Sequence, residues 1–324
     1  MNSNDAKITM NEMGKKKQAF FFLISFDHEE CTVLSADEAA TNGIFFNFND
    51  IHYNYPLALD EQKILKLEKS PLSFEHYAKA FERVQQHLNR GNSYLVNLTF
   101  PTPIQLNESL KTIFHSTSAK YRMLHKNDFV VFSPETFIKI KQGKIYSFPM
   151  KGTIDAAIPN AREVLLSNQK ELAEHATIVD LLRNDLSQIA TNVCLEKFRY
   201  IDVIKTADKS LLQVSSEISG NLPENYHEQL GTIIFEMLPA GSICGAPKPK
   251  TLTIIDEVEE YKRGFYTGIS GFFDGENLDS CVLIRFIENI NGCYFYKSGG
   301  GITSQSVVKE EYQELIDKIY VPFN

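Results

Sequence analysis

The 324 residues are 43% hydrophobic and 23% charged, enough apolar material for a sizeable core and too much for a disordered chain. A net charge of -8, with no basic tract beyond Lys15-Lys16-Lys17, argues against nucleic-acid binding, and no apolar run is long enough to span a membrane. Five scattered cysteines, odd in number and without metal-ligand spacing, read as reduced thiols of a cytoplasmic protein.

In chain order, residues 1–18 are expected to be a flexible tail, followed by one α+β domain over 19–324. Ala19 to Ile24 imitates the apolar region of a signal peptide. It is short, however, and runs into Asp27-His28-Glu29-Glu30 without a small-residue cleavage site, so a buried strand is expected. Over 74–90, Tyr77, Phe81, Val84 and Leu88 recur at helical spacing, and a new strand is expected after Gly91. Thr136 to Lys141 alternates, with Ile138 and Ile140 on one face, and Gln142-Gly143 turns it into Lys144 to Phe148 as a hairpin. Residues 162–189 predict a long helical stretch broken near Ser167-Asn168. A second hairpin is expected from 281–287 and 293–297 around Asn291-Gly292, and a last helix from Val307 to Tyr320. Strands that come in hairpins favour mixed α+β over a doubly wound parallel sheet.

Several side chains invite chemistry. Lys151, in Pro149-Met150-Lys151-Gly152-Thr153, follows an apolar strand and precedes a glycine that lets the backbone turn. That setting suits an amine whose pKa is lowered by desolvation and which acts as a nucleophile, although most strand-end lysines are solvated. Glu135, in Ser133-Pro134-Glu135, is tied to Lys151 by the hairpin and reads either as an acid beside the amine or as its surface ion-pair partner. Glu311 and Glu314 share a helical face, and Glu174 opens the run to Asp185. The three could hold Mg²⁺, while ordinary solvated carboxylates remain the simpler expectation from spacing. Gly299-Gly300-Gly301 reads as a flexible turn whose amides could approach an anion. Arg285, placed inside an apolar strand, needs a partner, which is either a ligand carboxylate or an internal ion pair. Gly241 to Lys248 looks like an anion loop before a helix but lacks P-loop spacing, which weakens a Mg²⁺-dependent phosphate enzyme as an alternative.

These blocks, with Arg263 to Gly268 and Tyr312, occur in the order found in the chorismate-utilising enzymes, which the chain resembles over roughly residues 75–320. The resemblance implies two packed, mostly antiparallel β-sheets with outer helices, and chorismate bound beside Mg²⁺. It implies that Glu174, Glu311 and Glu314 carry the metal and that Arg285, Tyr266 and the amides of Gly299, Gly300 and Gly301 hold substrate. Thr153, Gln213 and Lys318 are implied as further substrate-binding positions. Within the family, the branch most similar is the aminodeoxychorismate synthases, which share a lysine at position 151 where anthranilate synthases typically have alanine. In that branch the lysine adds to ring carbon 2 as the 4-hydroxyl departs, and ammonia then displaces it at carbon 4, with the acid at Glu135 serving both steps. Leu95 stands where isochorismate- and salicylate-forming relatives carry a lysine base and the amino-transferring branch a glutamine. Gln213 stands where relatives usually have histidine, and Cys244 replaces a common threonine. No cysteine has a nucleophile-elbow context, so ammonia is expected from a separate glutamine amidotransferase, and a lyase would then give 4-aminobenzoate for folate. An anthranilate synthase large subunit and a non-catalytic chorismate-binding regulatory subunit are the alternatives.

Overall fold

The computed structural model describes residues 1–55, 65–205 and 210–322, leaving 56–64, 206–209 and 323–324 of the expected 19–324 domain outside the described residues. Its layering is visible in the strand Phe20–Ile24, whose five side chains are all buried. Phe20, Phe22 and Ile24 join the cluster packed under helices, while Phe21 and Leu23 join the cluster between two sheets. A strand covered on both faces has no polar alternation, and each such side chain contributes roughly 1.5–3 kcal/mol on burial.

One sheet runs, neighbour to neighbour, through Met150–Asp155, Ser210–Asn221, Lys144–Ser147, Thr136–Lys141, Leu278–Val282, Ile269–Phe273, Phe20–Ile24 and Cys31–Leu34, with Thr191–Lys205 also on Ser210–Asn221. The other runs through Gly245–Ala246, Leu95–Leu106, Cys293–Ile302, Phe286–Ile290, Phe129–Ser133, Tyr121–His125, Ile44–Phe48 and His52–Tyr53, with Leu67–Lys69 also on Leu95–Leu106. The described pairings in both sheets are antiparallel, for example Lys144↔Lys141 and Phe286↔Lys297. Between them pack Phe21, Leu23 and Cys281 of the first sheet and Phe46, Phe48, Met123 and Phe129 of the second. Helices cover the outer faces, so the expected α+β architecture of two packed sheets is what the chain adopts.

The first expected hairpin forms, and the second forms around its turn but from Phe286–Ile290 rather than 281–287; both turn dipeptides have two positive φ angles: 52° and 74° at Gln142-Gly143, 53° and 87° at Asn291-Gly292. That is the geometry of a twist-matched two-residue turn. The helix Phe74–Asn89 buries Tyr77, Phe81, Val84 and Leu88 as their spacing predicts. The long helical stretch breaks at Asn168, whose side chain accepts from Glu171 N and caps Gln169–Ser187.

Three expectations need correction. Residues 1–18 are not a flexible tail but carry the helix Ser3–Lys15, with Ala6, Met10 and Gly14 buried. Its contacts with the helix Leu230–Glu236 and the turn Tyr226–Gln229 before it run through glycines: a Cβ on Gly14 would lie 2.2 Å from His227 O, and one on Gly231 2.3 Å from Lys7 O. Small residues leave little apolar stripe to read, which is why the helix is hidden in the sequence. Second, Arg285 is not inside a strand. Leu278–Val282 ends in one sheet and Phe286–Ile290 begins in the other, and Arg285 sits between them with φ 56°. Third, Gly299-Gly300-Gly301 is not a turn but the end of Cys293–Ile302, paired to Thr99, Leu98 and Asn97.

Candidate active site

Two neighbouring chain crossings between the sheets define one side of the site. Phe129–Ser133 belongs to the second sheet and Thr136–Lys141 to the first, and Glu135 lies in the step between them. Arg285 lies in the adjacent step. The crossings are stitched together by Phe132 N donating to Arg285 O at 3.1 Å and Val282 N donating to Glu135 O at 3.2 Å. Glu135 and Arg285 both face a cavity of about 140 Å³.

Around that cavity the remaining walls come from far apart in sequence. Met150 and Lys151 enter from the strand Met150–Asp155, and Glu174 and Ile178 from the helix Gln169–Ser187. Leu95 and Asn97, alternate residues of one strand, face Gly299, Gly300 and Gly301 across the ladder. Ser242 and Ile243, Tyr266, and Lys318 at the end of the helix Val308–Asp317 complete the enclosure.

Behind Asn97 and Ile243 sits a buried ion pair. Arg263 donates to Glu259 at 2.7 and 2.8 Å, to Asn97 O at 2.6 Å and to Ile243 O at 2.9 Å. Removing one member of such a pair typically costs about 3–5 kcal/mol, because the other charge is left uncompensated. Arg263 itself therefore acts as scaffold for the wall, while Tyr266 of the same block lines the cavity.

The cations and carboxylates of the site are arranged asymmetrically. Lys151 Nζ is 2.7 Å from Glu174 Oε2, and Lys318 Nζ is 2.6 Å from Glu314 Oε1 while donating to Gly299 O at 2.8 Å. Arg285 has no carboxylate partner among the described residues; its Nε is buried without a hydrogen bond, and its guanidinium stands 5.3 Å from the Tyr320 ring centroid. The internal ion pair that would be the simpler partner for Arg285 is thus not made, and the guanidinium is left suited to a ligand carboxylate.

Electrostatics correct one expectation. Burial disfavours the Lys151 charge, but Glu174, then Glu314 and Glu171, outweigh it and hold the amine above its ordinary value. Desolvation alone does not make this lysine a free amine; its carboxylate neighbours must first be engaged elsewhere. Glu135 moves the other way. Burial raises its carboxyl above the ordinary value, against a hydrogen bond from Ser242 and the charges of Arg285, Lys318 and Lys120. A carboxyl so raised holds its proton more readily than an exposed one, which suits a general acid. Burial also pushes the Lys318 amine down, against Glu314.

The three glutamates expected to carry metal lie close together. A Cβ built on Gly300 would sit 3.2 Å from Glu314 Oε1 and 3.5 Å from Glu311 Oε2, and Lys151 feels both Glu174 and Glu314. Gly300 is needed because these carboxylates rest on its bare backbone. Among the described residues no three His, Cys, Asp or Glu side chains are arranged as a ready metal cluster. Glu174 Oε1, however, is buried without a hydrogen-bond partner, and an all-carboxylate set suits a hard cation such as Mg²⁺.

Of the expected positions, Glu311 and Glu314 stand behind Gly300 rather than in the cavity wall, and two substrate-binding positions also lie outside it. Thr153 is exposed, beyond the bulge at Gly152 (φ 77°) that breaks the register between Lys151 and Thr153. Gln213 pairs opposite Thr153 and donates to Met150 Sδ at 3.4 Å, so it backs a lining residue. Conversely, Ser242 and Asn97 line the site without having been singled out. Ser242 was inside a block already noted, and Asn97 is two residues from Leu95 on the same strand face. His175 is another addition: buried beside Glu174, it meets Ser216 Oγ at 2.6 Å through Nε2, and burial, Arg199 and Lys151 push it down to about 4.

Comparison with known proteins follows this geometry. A family model described as chorismate binding enzyme matches residues 8–323. The chain is 48% identical over 313 residues to an "Uncharacterized PabA-like protein" of Haemophilus influenzae, covering 96% of this chain and 94% of that one. It is 33% identical over 270 residues to aminodeoxychorismate synthase component 1 of Escherichia coli, covering 78% of this chain and 57% of that protein, so it spans little more than half of that relative. Among solved structures, the menaquinone-specific isochorismate synthase of Escherichia coli matches with a TM-score of 0.74 at 14% identity, covering 98% of this chain and 81% of that one, a likeness of fold.

Proposed function

This chain belongs to the family of chorismate-binding enzymes, and we propose that it converts chorismate and ammonia to 4-amino-4-deoxychorismate, as component I of an aminodeoxychorismate synthase. The observation that carries this reading is that Lys151 and Glu135 face one cavity of about 140 Å³ together with Arg285, which no carboxylate neutralises among the described residues. A nucleophilic amine, a poised acid and an unpaired guanidinium are what a substitution on a dianionic allylic alcohol needs.

In the proposed cycle, the neutral Lys151 amine attacks ring carbon 2, the ring double bond shifts, and the carbon 4–oxygen bond breaks. Glu135 gives its proton to the departing hydroxyl, which leaves as water. Ammonia then attacks carbon 4, the double bond returns, and the carbon 2–nitrogen bond breaks to release the lysine. The Glu135 carboxylate takes the proton from the new ammonium, and Lys151 departs as the neutral amine that began the cycle. Covalent capture replaces one hard displacement by two allylic ones. Arg285 and Tyr266 hold and orient the enolpyruvyl carboxylate, and Leu95, Ile178 and Ile243 exclude water that would compete with ammonia. Bound by Glu174, Glu311 and Glu314, Mg²⁺ would supply the charge that grips the ring carboxylate.

Ammonia is assigned to a separate glutamine amidotransferase. Burial pushes the Cys244 thiol up to about 11, and burial likewise raises Cys31 and Cys281, which suits packing rather than nucleophilic attack on an amide.

The test is incubation with chorismate, Mg²⁺ and an ammonium salt, followed by a lyase that releases 4-aminobenzoate. Production of 4-aminobenzoate is expected. Anthranilate instead would overturn the assignment in favour of the alanine-type reaction, and binding without consumption would favour a regulatory subunit.

A further inference from the structure

Resting on the reading of Arg285 as the clamp for a substrate carboxylate, we propose that Tyr320 is a positioning residue that holds the Arg285 guanidinium at the cavity through a cation–π contact with its ring. The backbone of Arg285 is set by the crossing between sheets, with φ 56° and its carbonyl accepting from Phe132 N at 3.1 Å. Nothing of that kind fixes the far end of the side chain. No carboxylate holds it among the described residues, and its Nε is buried without a hydrogen bond. Its surroundings are the phenols of Tyr320, Tyr296 and Tyr266; of these Tyr320 interacts through its hydroxyl and also presents its ring 5.3 Å from the guanidinium carbon. A neutral π face attracts the cation and restricts its rotamers without cancelling its charge, so the outward donors stay available for a ligand.

Tyr320 is itself held in place from three directions. Its carbonyl accepts from Tyr296 Oη at 2.8 Å, and Tyr296 is fully buried. Two residues later Pro322 O accepts from Ser118 N at 3.1 Å. Two residues earlier Lys318 Nζ donates to Gly299 O at 2.8 Å. The segment 318–322 is thus laid along the back of the cavity, and the ring is delivered to the guanidinium by backbone fastenings rather than by its own burial, since Tyr320 is 40% exposed.

Equilibrium titration of chorismate in the presence of Mg²⁺ and the absence of ammonia tests the proposal, with melting temperatures recorded for each variant. Tyr320→Ala is expected to weaken chorismate binding by about tenfold, Tyr320→Phe to restore it to within about twofold of wild type, and Tyr320→Ala to add nothing in an Arg285→Ala background. Wild-type affinity in Tyr320→Ala, or Tyr320→Phe as weak as Tyr320→Ala at an unchanged melting temperature, overturns the proposal. If Arg285→Ala weakens binding while Tyr320→Ala does not, only the positioning role fails. If Arg285→Ala binds normally, the carboxylate reading of Arg285 fails and takes the positioning role with it.

Discussion

At the Lys151 end of the cavity, cations and carboxylates already answer one another: Lys151 lies 2.7 Å from Glu174, and Lys318 lies 2.6 Å from Glu314. At the Arg285 end a full positive charge is held against aromatic rings with no carboxylate partner among the described residues. The first end must change partners before Lys151 can act as a nucleophile or the glutamates can hold a cation. The second end can meet a carboxylate without rearranging. In the proposed cycle this contrast would let substrate dock at Arg285 first and let docking trigger the exchange of partners at Lys151.

The sharpest test of this contrast is Lys151→Ala. Formation of aminodeoxychorismate should fall by about 10⁴-fold or more, with chorismate affinity changed far less, measured by single-turnover rates alongside titration. Full wild-type turnover by this variant would end the covalent mechanism. Glu135→Gln should lower turnover by about 10²–10⁴-fold. It should also raise the melting temperature at neutral pH. The folded carboxyl is raised above its ordinary 4.5, so its stabilisation is complete below that value and is lost as the pH climbs through the folded value. An amide lacks that loss, so the two melting curves should converge near pH 4 and separate above it.

Next in size, Arg285→Ala should weaken chorismate binding by about a hundredfold without moving the rate of the bound complex, as expected for an anchor that acts before the chemistry. A loss confined to kcat would reverse the roles assigned to the two ends. The smallest effect separates site from scaffold among the glycines. Gly300→Ala places a Cβ 3.2 Å from Glu314 Oε1, and should raise the Mg²⁺ requirement about tenfold with the fold intact. Gly299→Ala places one 2.3 Å from Leu98 O, a backbone atom that cannot give way, and should show as lost thermal stability.

How much of this was legible follows a physical line. Periodic and turn-coded elements could be read directly: the helix Phe74–Asn89, the break at Asn168 and the turns at Gln142-Gly143 and Asn291-Gly292 are local chemistry. The two-sheet α+β architecture followed from hairpin patterning and from the family resemblance. The helix Ser3–Lys15 was missed because its docking face mixes Met10 with alanine and glycine, which give only a weak apolar period. Arg285 was misplaced because Leu283 and Ile284 keep the sequence apolar while the chain changes sheets, a tertiary event with no local marker. The glycine triplet reads as a turn by composition, yet it is a strand cleared of side chains so that carboxylates can rest on it. Likewise, the state of Lys151 depends on Glu174, Glu314 and Glu171, which spacing along the chain cannot bring together.

Because Glu135 and Arg285 both stand on chain segments that bridge the two sheets, their placement depends on how the layer between the sheets is filled. The stacked rings of Phe21 and Phe46, 5.0 Å apart in the layer between those sheets, act as a shim for a site they do not touch. Thinning that layer would register as slackened chorismate affinity while the protein still melted as a folded body, so that substrate binding becomes the more sensitive reporter of core packing.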